Sequence, residues 1–451
     1  MRCYVNRLAS SSRCRVHACT PRLLSRWNVG NCASLSQATA SGLQPQDTGR
    51  VITPVEKLIA GSIKSTGPIS IARYMQFCLG HPIEGYYMKR DVFGEKGDFI
   101  TSPEISQTFG ELLAVWFMSE WERNGRPART RLVELGSGRG TLLADMLRTF
   151  SSFRGVSQSL TTINMVENSR VMRELQKTAL QSSAAAQNIE LEWHDDLEEL
   201  EADPNTYTML VAHEFFDAMP IHMLEKAEDG WREVMVDLLR LDQPEEGDSE
   251  VAEDNKIHAA FGFRFVKSPP NTPLAALLSQ SSTRYAALPN GSRIEVSPQG
   301  SAVAQALARL IGNGKGGAAM IIDYGDDHTF GSSLRAFRRH KHVDLFDSPG
   351  ECDITANVDF AAVREAVEDK AHAHGPITQR HFLMSMGLVQ RLDALLKAAE
   401  TDEHKMSLAH AARRLVDSTS MGSEYKFMAI TSGEEIPYPF EKRKEDPAET
   451  S

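Results

Sequence analysis

Apolar residues along this chain recur at two spacings, and the alternation between them lays out its architecture. Residues 131–135 (Arg-Leu-Val-Glu-Leu) read as a short buried strand, Gly136 opens a tight turn, and 141–149 carries apolar residues at helical spacing. The rhythm continues with a strand over 161–167 that ends on Glu167 and a helix over 169–180. A strand over 191–195 runs into Asp195 and Asp196, and a buried strand over 208–212 ends at His213 and Glu214. Residues 231–238 and 259–266 change to period two, which predicts an antiparallel hairpin. A helix over 302–311 and a strong strand over 318–325 restore the first rhythm. Residues 359–373 and 388–416 read as helical, and 424–431 as a closing strand. Before the first strand, 54–79 is helical with a break at Gly67-Pro68. A further helix is expected to start with Ser102 as N-cap, Pro103 at N1 and Glu104 at the positive end of the dipole. Its apolar face is Ile105, Phe109, Leu112, Leu113, Trp116 and Phe117.

The expected fold class is therefore α/β, a Rossmann-like sheet over 131–432 behind an N-terminal helical extension, residues 51–130. An α+β subdomain is inserted at about 221–300, a further helical region spans 330–420, and 433–451 reads as a disordered tail. Residues 243–255 hold six acids and almost no apolar side chain, which predicts a disordered surface loop.

Composition adds a targeting signal and removes some partners. Residues 1–46 contain six arginines, much serine, no lysine and no acid, the composition of a mitochondrial transit peptide. Without those six, 43 basic residues face 60 acidic ones, a net charge of −17, which argues against a nucleic-acid partner. No apolar run approaches the ~18 residues of a membrane span. Four of the six cysteines lie in the first 46 residues; Cys78 and Cys352 remain, without metal-like spacing.

The chemistry centres on residues 133–141, Val-Glu-Leu-Gly-Ser-Gly-Arg-Gly-Thr. Strand, glycine loop and helix turn backbone N–H groups toward a ligand at the helix N-terminus. Gly136, Gly138 and Gly140 permit close approach, but Thr141 stands where a dinucleotide fingerprint has its last Gly or Ala, which argues against NAD. The acidic Glu134 before the loop suits a cationic ligand. This stretch resembles the first motif of class I S-adenosylmethionine (SAM) methyltransferases. On that resemblance SAM is the expected methyl donor, with Glu167 meeting the ribose hydroxyls and Asp195 the adenine amino group.

Methyl transfer needs a nucleophile in line with the donor methyl and a route for the acceptor's proton. An arginine acceptor has a pKa above ~12, so its site must orient a delocalised cation, which planar carboxylates do by paired hydrogen bonds. Glu214 and Asp217 fit this role after the fourth strand; helix capping is their plainer alternative. His213 and His222 are candidate proton acceptors, His213 being read more readily as a structural histidine. Asp323 and Glu295 are second-tier candidates.

Several stretches recur in order: Gly-Asp-Phe-Ile-Thr-Ser-Pro-Glu-Ile-Ser (97–106), the glycine loop, His-Glu-Phe-Phe-Asp-Ala-Met-Pro-Ile-His (213–222) and Ile-Ile-Asp-Tyr-Gly (321–325). Pro-Gly-Glu-Cys-Asp-Ile-Thr-Ala-Asn-Val-Asp-Phe (349–360) and Gly-Pro-Ile-Thr-Gln (375–379) complete the set. Together they resemble the MidA-like family, mitochondrial protein arginine methyltransferases that assist assembly of respiratory complex I. The resemblance covers about residues 51–432, with Ser137 where family members commonly have Pro. It implies symmetric ω-dimethylation of an arginine in a complex I subunit or assembly intermediate, in the mitochondrial matrix. The rival readings are an assembly chaperone that keeps the fold without transferring methyl groups, a methyltransferase on another acceptor, and a nucleotide-dependent oxidoreductase.

Overall fold

The computed structural model describes residues 52–89, 101–240 and 261–441. The expected transit peptide and the acidic loop at 243–255 lie outside them, as do the first four residues of the 97–106 stretch. Strand β1 (Ile69–Ser70) lies in the N-terminal extension. Four strands follow: β2 (Thr130–Leu135), β3 (Leu160–Val166), β4 (Glu190–His194) and β5 (Tyr207–His213). Next come β6 (His222–Ala227), β7 (Gly230–Arg240), β8 (Phe261–Lys267) and β9 (Arg293–Val296). The long β10 (Gly317–Asp326) precedes β11 (Arg335–Arg338), β12 (Lys341–Val343), β13 (Asp353–Thr355) and β14 (Val358–Asp359). β15 (His372–Thr378) and β16 (Tyr425–Thr431) close the fold.

The central sheet runs β15-β16-β10-β5-β2-β3-β4, with β14 paired to the end of β10. β10, β5, β2, β3 and β4 are mutually parallel, and β16 and β15 join antiparallel. Strand order reverses between β2 and β5, so their carboxyl ends flank the crevice where an open α/β sheet binds ligands. Both faces of the sheet are covered. Phe109, Trp116 and Phe117 of the helix Gln107–Arg123 and Leu143, Met146 and Leu147 of the helix Thr141–Ser151 fill one side. Leu307 and Ile311 of the helix Pro298–Gly312 and Val363 of the helix Phe360–Val367 fill the other. β10 is buried from Gly317 through Asp323, which explains its unbroken apolar run.

The expected hairpin forms, β7 pairing antiparallel with β8, within a five-stranded sheet that also holds β1, β6 and β9. Several boundaries depart from expectation. Thr101, not Ser102, is the N-cap of the short helix Ser102–Ile105, and Ser106 opens the long helix by accepting from the Thr108 N–H. The region 330–420 is not simply helical: β11, β12 and β13 make a small antiparallel sheet there. The helix read over 359–373 ends at Val367, and 372–378 is strand β15, with an irregularity between His374 and Ile377. Pro376, which has no N–H, sits in that interruption, where a proline is tolerated. The helical run 388–416 is two helices, Leu388–Ala398 and Asp402–Val416, the second capped by the Thr401 hydroxyl. The expected tail does not leave the body at Gly433. Trp116 Nε1 donates to the Tyr438 carbonyl at 2.9 Å, and Phe440 is buried beside Trp116 and Phe382. Arg123 also donates to the Glu435 and Ile436 carbonyls, so hydrogen bonds to the backbone and one buried ring dock a stretch whose overall composition is polar.

Candidate active site

The glycine loop takes its shape from backbone that side chains resist. Gly136, Gly138 and Gly140 have φ of 65°, 49° and 80°, in the left-handed region. A Cβ on Gly136 would stand 3.0 Å from Phe215 Cδ2. Gly140 is the N-cap of the helix Thr141–Ser151. A buried side chain that sequence reasoning missed braces the loop. Gln176 Nε2 donates to the Gly138 carbonyl at 2.9 Å and to Glu167 Oε2 at 3.1 Å, while its Oε1 accepts from Trp193 Nε1 at 2.9 Å. Gln176 lay within a helix rich in polar residues, so nothing in the pattern set it apart.

Glu167 stands one residue beyond β3. The Ser169 N–H donates to its Oε1 at 2.9 Å; burial raises its pKa, and the hydrogen bonds from Ser169 and Gln176 oppose that rise. Asp195 is exposed and paired with Arg173. Glu134 is buried under the loop and does not line the cleft; burial lifts it from its ordinary 4.5 to about 8, against the opposing effect of Ser137. Gly140 likewise does not line it. Gly136, Gly138, Glu167 and Asp195 do, in a cleft of about 2130 Å³ that also reaches Glu214 and Asp217. That exceeds the ~300–1,000 Å³ of ordinary small-molecule pockets, leaving room for a second reactant beside a nucleoside ligand.

Glu214 follows β5 directly, with φ of 51°. Asp323, fully buried in β10, fixes the turn beyond it: Oδ2 accepts from the N–H groups of Phe215 (3.2 Å), Phe216 (2.9 Å) and Asp217 (3.2 Å). Burial, then the charge of Glu214, raises the Asp323 carboxyl to about 7. Burial, then Asp217, raises Glu214 to about 8. Asp217 is held well above the carboxylate range by burial, Asp323 and Asp353, with Arg335 opposing. Asp353, brought in by β13, also lines the cleft, and Tyr87 Oη donates to its Oδ1 at 2.6 Å. Asp353 lay in a stretch marked only by resemblance, and topology alone brings it here. Negative charges crowded in this way raise the pKa of Glu214 and Asp217.

The remaining candidates fall outside the cleft. His213 packs between Phe109 and Tyr425, its ring parallel to Tyr425 at 6.3 Å between centroids. Burial pushes it down to about 3, so it is neutral near pH 7 and a poor base. His222 Nδ1 lies 2.6 Å from Glu233 Oε1, away from the cleft. Glu295 accepts from the N–H groups of Ser333 and Leu334 and from the Ser333 hydroxyl, holding the approach to β11.

Residues 112–377 match a family described as "Putative S-adenosyl-L-methionine-dependent methyltransferase". The chain belongs to this family. Relatives in the same family include the "Protein arginine methyltransferase NDUFAF7, mitochondrial" of Mus musculus, 38% identical over 88% of this chain and 89% of that protein. The Homo sapiens protein of the same name is 37% identical over 87% of this chain and 86% of its own length. A solved Burkholderia thailandensis structure, titled a "likely methyl transferase" bound to S-adenosyl-homocysteine, is 25% identical with a TM-score of 0.64, covering 84% of this chain and 91% of that one. The methyl donor of the family is S-adenosylmethionine, and the site suits it. Gly136 and Gly138 bring no side chain to the cleft, and Glu167 and Asp195 line it beside them. Among the described residues no helix is long and apolar enough to cross a membrane.

Proposed function

We propose that the protein methylates arginine in a mitochondrial protein, and that its product is symmetric ω-dimethylarginine in a complex I subunit or assembly intermediate of the matrix. The observation that carries the arginine reading is the cluster of Glu214, Asp217 and Asp353, facing the cleft that the glycine loop also lines. Burial and mutual repulsion push the Glu214 and Asp217 carboxyls upward, and a guanidinium entering the cluster favours their ionised forms. Paired hydrogen bonds to planar carboxylates orient its ω-nitrogens and leave one more nucleophilic. As the C–N bond forms and the donor's S–C bond breaks, the guanidinium gives up a proton, for which Glu214 is the acceptor. The names of the mitochondrial relatives and the arginine-rich composition of residues 1–46 support the compartment. Complex I as the target and symmetry of the product rest on the family resemblance.

The test is mass spectrometry of complex I subunits from mitochondria with and without the protein. Loss of symmetric dimethylation at an arginine in its absence is expected. An unchanged methylation profile combined with defective assembly would favour a chaperone instead.

A further inference from the structure

We propose that Tyr425 and Tyr324 form a two-hydroxyl proton exit, carrying the proton taken up by Glu214 to the cleft surface so that Glu214 can accept again. The inference rests on the arginine-methylation reading and extends it to a step that reading leaves open. One methyl transfer converts a guanidinium and a sulfonium, two positive charges, into a methylguanidinium and a neutral thioether, and releases one proton. A carboxyl that received that proton must lose it before the second transfer.

Sheet register builds the route. β10 and β16 are antiparallel neighbours in which Tyr324 stands directly opposite Tyr425, and β10 and β5 are parallel neighbours, pairing Ile322 with His213, the residue before Glu214. Three adjacent strand ends therefore bring three side chains into line. Tyr425 Oη lies 2.7 Å from Glu214 Oε1 and 2.6 Å from Tyr324 Oη. Glu214, Tyr425 and Tyr324 all line the cleft; Tyr425 is buried and Tyr324 partly exposed, so with a guanidinium seated against Glu214 the two hydroxyls give its proton a second way out. With Glu214 ionised, Tyr324 donates to Tyr425 and Tyr425 donates to Glu214. Once Glu214 is protonated every bond reverses: Glu214 donates to Tyr425, Tyr425 to Tyr324, and Tyr324 to water. One O–H bond breaks and one forms at each oxygen, so neither tyrosine gains or loses charge overall.

The surroundings favour exit by this path. Around Glu214 stand Asp217, Asp353, Glu104 and Asp323, all acidic, and His213, whose Nε2 lies 3.5 Å from Glu214 Oε1. His213 is buried and held neutral, so it offers no way out. Over the ring of Tyr324 lies the Arg335 guanidinium, 5.5 Å from its centroid, a cation that disfavours a proton lingering there.

The experiment uses full-length protein, methyl-labelled SAM and complex I subunits from mitochondria lacking the protein, with Tyr425→Phe and Tyr324→Phe as variants. Phenylalanine keeps both rings, including the Tyr425 stack on His213. SAM affinity by calorimetry is expected within about twofold of the parent. Initial rates should fall about tenfold or more for Tyr425→Phe below pH 8, with a smaller fall for Tyr324→Phe. Both losses should shrink as pH rises, and added imidazole should restore the variants without accelerating the parent. A loss equal at every pH and unmoved by imidazole would mean that the hydroxyls only position Glu214, and parent-like rates would equally overturn the relay. A parent that transfers no label to arginine would overturn the underlying reading, a result distinct from either.

Discussion

At Glu214 a non-glycine residue is held at positive φ, a conformation that persists only where its surroundings enforce it. Asp323 enforces it here by taking three successive N–H groups, so the turn presenting Glu214 and Asp217 is fixed before any substrate arrives. Removing one charge while keeping shape therefore isolates the carboxylates' electrostatic role. Glu214→Gln and Asp217→Asn are each expected to leave SAM affinity within a few fold of the parent and to lower methyl transfer by about a hundredfold. If SAM binding fell in step with activity, these side chains would belong to the donor pocket. The strand-end position made Glu214 and Asp217 legible in the sequence, and the same logic found Asp323. Asp353, Tyr87 and Tyr425 were not legible as partners, because only the folded topology brings β13, the segment before residue 89 and β16 to one crevice.

At the scale of the element, the glycine loop was legible because strand, glycines and helix are contiguous, while its brace was not. Gln176 ties the loop carbonyl, the Glu167 carboxylate and the Trp193 indole through one amide. Gln176→Leu, close in size but apolar, should weaken SAM binding by about tenfold or more, since three partly buried polar groups lose a partner at once. Calorimetry reads this directly, and parent-like affinity would show that the loop holds its shape unaided. Glu134, under the same loop, makes a contrasting prediction about stability. Its carboxyl is raised to about 8 in the fold. The folded state thus holds a proton that the unfolded chain has released, and the stability this contributes is present below about pH 4.5 and lost as pH climbs through 8. Glu134→Gln removes that dependence. The melting temperature of the variant relative to the parent should rise from pH 5 to pH 8.5; a difference that stays flat with pH would mean that Glu134 is ionised in the fold after all.

On the scale of the whole molecule, the cleft is a joint product. The central sheet supplies the loop and Glu214, the small sheet supplies Asp353, and the N-terminal extension supplies Tyr87. β16 carries Tyr425 into this assembly, and its outer support includes the segment after Gly433. Phe382 stacks on Phe427 of β16 at 4.3 Å between centroids, and Phe440 packs against Phe382 at 6.3 Å. Composition hid this role, since proline, glutamate and lysine outnumber the apolar side chains of the tail. Burying a phenylalanine is worth about 1.5–3 kcal/mol. Leaving the Trp116 indole N–H without the Tyr438 carbonyl costs a further ~1–3 kcal/mol. A chain ending at Gly433 is therefore expected to lose roughly 3 kcal/mol or more of stability, and Phe440→Ala about half of that. Both should still bind SAM at low temperature, because neither change reaches the glycine loop. Urea titrations of the parent and the two variants measure the losses. A truncated chain as stable as the parent would mean that the docked tail follows the fold without supporting it, leaving β16 to be held by its strand partners and by Phe109 and Phe382.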